Sequence, residues 1–131
     1  MNYFLAKTEP STYSIDNLEK EKLTLWDGVH NYEAINYIKT MKPGDMVYIY
    51  HSMKDKKIVG LACVDGEPFE NKADKRFSWA VTLRFISKFD GPTLSQFKQN
   101  PDFAKFKLVT HSRLSVMSMP AEVATWVEST K

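Results

Sequence analysis

The sequence predicts an α+β domain in which helices flank a small mixed or closed sheet. Several segments have the length and pattern of β-strands without a helix after each one, and helix patterns stand toward both ends of the chain. A regularly alternating βαβ domain fits that order less well. The chain of 131 residues has the length of one domain. We therefore expect a single domain that covers residues 1–131.

The N-terminal third is predicted to contain short elements. Residues 3–7 form a strand candidate, and Pro10 ends it because proline restricts its neighbour and cannot donate to a ladder. A short helix is expected over residues 14–19, with Ser14 as its N-cap. Residues 24–26 predict a second strand that stops at a turn.

The clearest helix is predicted over residues 32–41. Asn31, a favourable N-cap, precedes it, and Pro43 and Gly44 follow its end. Its apolar residues have the i, i+1, i+4, i+7 spacing of one buried stripe: Ala34, Ile35, Ile38 and Met41.

Three strands are predicted next, over residues 46–51, 58–64 and 79–89. The first is rich in β-branched and aromatic residues, the second is almost continuously apolar, and the third alternates. Residues 65–76 are polar and charged, so they predict a loop before the third of these strands.

The C-terminal part predicts two helices and a strand. A Thr-x-x-Gln capping box at Thr93 indicates a helix from about residue 94. A last strand is expected over residues 114–117. A closing helix is expected over residues 120–128, with Pro120 near its first turn.

Cysteine content and hydropathy limit the cellular compartments in which the protein is expected. Cys63 is the single cysteine, so an internal disulfide is excluded, and its apolar neighbours predict a buried, unreactive thiol. The sequence has no apolar run of membrane-spanning length and no signal-peptide pattern. We expect a soluble, cytoplasmic protein without a membrane partner. A net charge of +2 is mildly basic and does not by itself indicate a nucleic-acid binder.

The sequence contains no recognisable catalytic or metal-binding motif. A nucleophile elbow, a His-Glu-x-x-His helix and a phosphate-binding loop are all missing. The three histidines and one cysteine lack metal-ligand spacing. We predict no catalytic residue, no metal and no cofactor, although an enzyme that uses His30 or His51 as a base remains open.

An aromatic turn stands directly before the clearest helix. Trp26 is followed by Asp27, Gly28 and Val29, and Asn31 then caps the helix. A helix N-terminus offers unpaired N–H groups and a partial positive charge, and a tryptophan offers a stacking face. This combination favours a pocket for a flat, polar ring, although a turn tryptophan can also belong to the core.

Further polar groups could complete such a pocket, and each also has an ordinary structural explanation. The segment Tyr50-His51-Ser52 offers three hydrogen-bonding groups, or it is a solvated strand end. Arg113 and Ser115 share a face, which suits a phosphate, a base edge or a surface salt bridge. Trp79 fits the core and a pocket equally well. Six lysines either form a phosphate-binding surface or are simply solvated: Lys7, Lys39, Lys42, Lys54, Lys56 and Lys57.

Four segments together resemble the EVE domain family. They are Lys-Thr-Glu-Pro at 7–10, Trp-Asp-Gly-Val-His-Asn-Tyr at 26–32, the strand end at 47–52, and Arg-Leu-Ser-Val at 113–116. Their order and spacing agree with the family over nearly the whole chain. The first segment is weak alone, whereas the others in sequence are specific.

The resemblance implies a PUA-like fold, which is a small twisted β-barrel with helices packed at its ends. It also implies a non-catalytic module that binds DNA or RNA and reads a modified, single-stranded or flipped base through an aromatic pocket. The alternatives are an enzyme that acts on modified nucleosides, or a small-molecule or protein-interaction module with the same pocket. The resemblance assigns the pocket to Trp26, Asp27, Gly28, Val29, Asn31, Tyr50, His51, Ser52, Arg113 and Ser115, with Lys7 and Trp79 beside them.

Three positions depart from the family pattern. The family often has Arg at the position of His30, and commonly Gln and Arg at the positions of Glu33 and Ile35. Two cations are therefore missing from the expected phosphate track and one carboxylate is added. We expect weaker nonspecific binding to phosphates. The slope of log K against log salt should be lower by about one unit for each lost contact.

Overall fold

A seven-stranded mixed sheet forms the centre of the computed structural model, which describes residues 1–131. In sheet order the strands run β2-β6-β4-β3-β1-β7, with β5 paired to β6 outside that path. Only β1 and β3 pair in parallel; the other pairings are antiparallel. The strands are β1 (Tyr3–Thr8), β2 (Leu23–Trp26), β3 (Met46–His51), β4 (Lys57–Val64), β5 (Phe69–Glu70), β6 (Trp79–Lys88) and β7 (Val116–Met119).

Five helices and one 3₁₀ turn connect the strands. The side chains of Ser14, Asn31 and Thr93 accept hydrogen bonds from helix N–H groups, which confirms the three predicted N-caps. No helix in the molecule combines the length and apolar character that a membrane crossing needs. The elements are α1 (Ile15–Glu21), α2 (Tyr32–Thr40), α3 (Leu94–Gln99), the 3₁₀ turn (Pro101–Phe103), α4 (Lys107–Thr110) and α5 (Ala121–Ser129).

Most predicted elements are confirmed, and the differences have local causes. The last strand begins at Val116, two residues late, because the Leu114 N–H is bonded to the His111 carbonyl in a turn. Strand β5 lies inside the predicted 65–76 loop and escaped prediction because its two residues are exposed. Helix α4 has four residues, too few to show a periodic pattern.

The sheet curls so that the ends of strands β1 and β2 approach each other. Strands β1 and β2 are four places apart in the sheet order, a separation of about 19 Å in a flat sheet. Residues at the ends of both strands nevertheless line one cavity. The α+β architecture around a small mixed sheet is therefore as predicted.

One continuous cluster of buried side chains fills the interior. On α2 the predicted stripe is buried, with Ile35 and Ile38 at most 1% exposed. On β6, Val81 and Leu83 are buried, whereas Ile86 near the strand end is exposed. Cys63 is buried in β4, as predicted.

Gly60 of β4 is required by the close approach of α1 to the sheet. A Cβ at this position would lie 2.4 Å from Ile15 Cδ1 and 2.7 Å from the Ser87 carbonyl oxygen. Since the second neighbour is backbone, β4, β6 or α1 would have to move.

We predict that Gly60→Ala lowers the free energy of unfolding by about 1–3 kcal/mol, the usual range for overpacking. Urea unfolding followed by circular dichroism measures this change. The exposed Ser118→Ala in β7 serves as the control and should stay near wild type. Equal stability of Gly60→Ala and wild type would contradict the close packing of α1.

Candidate functional site

A cleft of about 370 Å³ opens where the ends of β1 and β2 approach each other. Its walls come from the end of β1, the loop before α1, the strand β2 and the turn after it. The lining residues are Lys7, Thr8, Thr12, Tyr13, Thr24, Leu25, Trp26, Asp27, Gly28, Val29 and Ser115. We call this cavity the tryptophan cleft.

Trp26 contributes both to the core and to the cleft wall. Its side chain is 9% exposed and belongs to the buried cluster. Tyr13 meets it edge-on, with ring centroids 6.1 Å apart and planes at 88°. The Tyr13 hydroxyl in turn donates to Glu21 at the end of α1. Because these contacts fix the indole, a ligand in the cleft meets a rigid aromatic wall.

The turn after Trp26 adds a carboxylate and an apolar residue. Gly28 has a φ of +73°, a left-handed conformation that favours glycine. The turn buries Val29 and leaves Asp27 exposed. Asp27 takes part in no ion pair of the molecule, so its carboxylate is available as a hydrogen-bond acceptor.

Lys7 and Ser115 form the opposite wall. The Lys7 ammonium donates to the Ser112 carbonyl oxygen at 3.2 Å and has no carboxylate partner. Burial lowers the pKa of Lys7, since a desolvated ammonium is less stable than a hydrated one. The Lys7 N–H donates to the Ser115 carbonyl oxygen at 2.8 Å, which ties β1 to the segment before β7. The cleft thus joins one cation, one carboxylate and one indole.

A second groove of about 210 Å³ lies beside the cleft and shares Lys7 with it. Tyr50 and Ser52, two of the predicted site residues, line this groove and not the tryptophan cleft. The groove is lined by Lys7, Tyr50, Ser52, Lys56, Leu94, Lys98, Leu108, Val109 and Ser112. We call it the lysine groove.

His51 lines neither of these cavities. Its side chain is 6% exposed, and its Nε2 accepts from the Ile15 N–H at 3.1 Å at the start of α1. Burial lowers the pKa of the imidazole, and the nearby Asp55 and Asp16 oppose that shift. His51 faces a different, highly charged cavity. Its observed contact anchors α1 to β3.

Three further predicted site residues lie outside both cavities. Asn31 caps α2, since its Oδ1 accepts from the Ala34 N–H at 3.0 Å. Trp79 is partly buried, and the Lys39 ammonium stands 5.1 Å from its ring centroid. Arg113 is exposed and borders neither opening. The structure therefore does not bring His51 and Arg113 together with Trp26.

Comparison with known proteins identifies the family. A model of the EVE domain matches residues 2–130. The chain belongs to the EVE domain family. Rat thymocyte nuclear protein 1 is 38% identical over 80 residues, which cover 52% of this chain and 35% of that protein. The matched part of the chain thus spans about a third of the length of this curated relative.

Solved structures share the fold of this EVE domain along its length. A protein from Rhodopseudomonas palustris has a TM-score of 0.90 and 32% identity, covering 99% of this chain and 92% of that one. Human THYN1 protein in complex with DNA that contains 5-methylcytosine has a TM-score of 0.84 and 23% identity, covering 98% and 96%. A YTH domain has a TM-score of 0.57 and 13% identity, covering 98% and 96%. The PUA-like fold expected from the sequence is confirmed.

The EVE domain places about half of the predicted site residues around the tryptophan cleft: Lys7, Trp26, Asp27, Gly28, Val29 and Ser115. Prediction missed the other five lining residues: Thr8, Thr12, Tyr13, Thr24 and Leu25. Thr12 and Tyr13 follow Pro10 in a turn whose N–H groups bond to the Glu9 carbonyl. The loop that starts at Pro10, the last residue of the Lys-Thr-Glu-Pro segment, was the available signal.

Two of the residues that depart from the family pattern, His30 and Glu33, make contacts within this EVE domain. His30 Nε2 and Asp74 Oδ2 lie 2.7 Å apart, and Asp74 also accepts from the Ser78 hydroxyl. Glu33 pairs with the Lys107 ammonium at 2.6 Å. Ile35 is buried in the core, as the predicted apolar stripe of the helix requires.

We predict that Asp74 carries an acid-dependent part of the stability. The Arg76 backbone N–H and His30 hold the pKa of Asp74 at about 2, below its ordinary value of 3.8. A depressed carboxyl pKa stabilises the folded state above the ordinary value, and this contribution is lost as the pH falls toward 2. Urea unfolding between pH 2 and pH 5 should therefore show a shallower pH dependence for Asp74→Asn than for wild type.

Hydrogen exchange provides the local measurement at neutral pH. The Asn71 and Ser78 backbones are bonded, and the Asp74 contacts hold the segment between them against His30. In Asp74→Asn, amides 71–78 should exchange faster, while Asp65→Asn, which alters an exposed ion pair with Arg84, should not change them. Identical pH profiles for the Asp74 variant and wild type would refute this role.

Proposed function

We propose that this EVE domain binds nucleic acid by admitting one unpaired or extruded base into the tryptophan cleft, and that the base is 5-methylcytosine. The observation that carries the proposal is the joint presence of Trp26, a free Asp27 carboxylate and Lys7 around one opening. Stacking, edge recognition and charge attraction are the three interactions that single bases need.

The size of the cleft supports a single base as the ligand. About 370 Å³ lies near the lower end of the range for ligand pockets in proteins. Trp26 offers an aromatic surface that every base can use for stacking. Leu25 and Val29, near Trp26 in the sequence, are apolar residues of the cleft lining and are suited to contact a methyl group.

Asp27 supports a base that carries an exocyclic amino group. Cytosine presents an N4 amino donor, which aspartate and glutamate accept, whereas thymine presents an O4 acceptor at the same place. A carboxylate has acceptors only, so it would repel O4. 5-Methylcytosine and thymine share the methyl group, and Asp27 is the group in the cleft that can discriminate between them.

The human relative supports the choice of 5-methylcytosine as the first probe. That protein has the same fold and was crystallised with DNA that contains this base. No observation favours the nucleoside-directed enzyme that the sequence left open, because neither His30 nor His51 lines the cleft. An exposed carboxylate and an indole suffice for recognition.

We predict that Trp26 supplies stacking energy to the bound base. Trp26→Ala should weaken binding to a single-stranded oligonucleotide with one 5-methylcytosine by about 1–3 kcal/mol, the usual value of a stacked base, or roughly 5- to 150-fold in Kd. Fluorescence anisotropy measures the change. Trp26→Phe, which keeps an aromatic face, should lie between the alanine variant and wild type.

A matched control separates stacking from stability. Trp126 is an aromatic residue of α5 that packs against Phe97 and Phe103, outside the cleft. Trp126→Phe should leave the oligonucleotide affinity unchanged, with circular dichroism confirming that each variant is folded. If folded Trp26→Ala and wild type bind a panel of modified oligonucleotides equally, the cleft is not the base site.

We predict that Asp27 sets the preference for 5-methylcytosine over thymine. An asparagine amide can rotate to donate to O4, so Asp27→Asn should bring the two affinities together. A well-paired base edge gives about 1–3 kcal/mol of discrimination, so the affinity ratio should fall roughly fivefold or more. Competition between two otherwise identical oligonucleotides measures it, with Asp102→Asn as the charge-matched control. An unchanged ratio would exclude Asp27 from base recognition.

A further inference from the structure

We propose that the lysine groove binds a backbone phosphate next to the base in the tryptophan cleft, through Lys7, Lys56, Lys98 and the Tyr50 hydroxyl. This inference rests on the proposed function and assigns the second contact of the same strand. It places the phosphate-binding site beside α3, away from the N-terminus of α2.

The two cavities are adjacent because β1 and β3 pair in parallel. Lys7 lies opposite Tyr50 in that register, and Lys7 lines both cavities. The Ser52 N–H donates to the Thr8 carbonyl oxygen at 3.0 Å, which keeps the two strand ends together. A base in the cleft therefore leaves its sugar-phosphate chain beside Lys7, at the entrance to the groove.

Backbone contacts also fix the two other lysines of the groove. The Leu94 N–H at the start of α3 donates to the Lys56 carbonyl oxygen at 2.8 Å. Lys98 is four residues after Leu94 on α3, so both side chains lie on one face of the helix. The β3–β4 loop and α3 thereby present two cations to one opening.

The charge of the groove is uncompensated. Its lining includes three lysines and no carboxylate. None of these three lysines takes part in an ion pair, whereas Lys57, Lys88, Lys107 and Lys131 each pair with a carboxylate. A cluster of unpaired cations in a concave site attracts a phosphate more strongly than scattered surface lysines do.

The Tyr50 hydroxyl adds a donor that has no partner in the protein. Tyr50 is only 3% exposed, yet no side-chain or backbone group bonds its hydroxyl, and burial alone raises its pKa to about 12. The hydroxyl therefore keeps its proton at neutral pH. The hydroxyl is accessible from the groove, because the only fully buried side-chain polar atom without a partner is His51 Nδ1. A hydroxyl that opens into a groove of lysines without a protein partner is suited to donate to a phosphate oxygen.

The test measures oligonucleotide affinity as a function of salt for the wild-type protein and single variants. Lys98→Gln should weaken binding of 5-methylcytosine and cytosine oligonucleotides by the same factor, and should reduce the slope of log K against log salt by about 0.7, the value for one phosphate contact on a single strand. Lys105→Gln is the charge-matched control on the 3₁₀–α4 connection, outside the groove. It should keep the wild-type slope.

Tyr50→Phe separates the hydroxyl from the fold. Because the hydroxyl has no protein partner, this variant should unfold at the wild-type urea concentration, yet it should bind the oligonucleotide more weakly at an unchanged salt slope. A loss of stability together with unchanged binding would show that the hydroxyl serves the fold and would overturn its assignment to phosphate.

Replacing single phosphates of the oligonucleotide by uncharged linkages identifies the phosphate that the groove contacts. A methylphosphonate is placed singly at each linkage on either side of the 5-methylcytosine. At one linkage, Lys98→Gln should lose its effect because the charge that it contacts is already missing. If Lys98→Gln weakens every such oligonucleotide equally, or matches Lys105→Gln throughout, the groove is not a phosphate site.

The outcomes separate this inference from the proposed function. A normal Lys98 effect without any effect of Trp26→Phe or Asp27→Asn would retain the groove and refute base reading. The reverse result would retain base reading and refute the groove. If the wild type binds no oligonucleotide, titration with inorganic phosphate decides by NMR. Amide shifts at Tyr50, Lys56 and Lys98 that Lys98→Gln abolishes would identify a free-phosphate site, and unchanged spectra would overturn the inference.

Discussion

The parallel pairing of β1 with β3 is the constraint on which the site depends. It is the only parallel pair in the sheet, and it brings two strand ends, Thr8 and His51, to the same edge. Residues near those ends are then divided between two cavities, with Lys7 common to both. Curling of the sheet brings Trp26, at the end of β2, to the same edge. A shift of this register by one residue would exchange the faces of Lys7 and Thr8 and separate the cavities.

Two polar side chains at this edge, Lys7 and Tyr50, have few or no partners in the protein. Some charges elsewhere are paired within the protein, as in the pairs of Lys107 with Glu33 and of His30 with Asp74. Lys7, by contrast, is partly desolvated with a single carbonyl contact, and the Tyr50 hydroxyl has no protein partner. A partly desolvated ammonium with one hydrogen bond costs folding free energy that a neutral side chain would avoid. Such a cost, beside a hydroxyl without a protein partner, is typical of groups that complete their contacts with a ligand.

Caps and periodicity predicted most elements of this fold because those signals are local. Ser14, Asn31 and Thr93 each fix a helix start through one side-chain bond within three residues. The site was harder to predict, since it depends on curling of the sheet and on side-chain direction. Successive side chains of a strand point to opposite faces of the sheet. Tyr50 and Ser52 therefore line the lysine groove, whereas His51 lines another cavity, and the three do not line one pocket. Arg113 precedes the strand, where alternation gives no direction.

The family departures and the lysine groove together indicate how this chain divides its contacts. At the entrance to α2 the available charges are engaged internally: His30 holds the 71–78 segment through Asp74, and Glu33 holds α4 through Lys107. A phosphate there would have to displace an existing ion pair, and Glu33 would repel it. Beside α3, Lys56 and Lys98 have no such partner to lose. A bound strand should therefore run from the tryptophan cleft over Lys7 toward α3, because on that path binding adds contacts without breaking any.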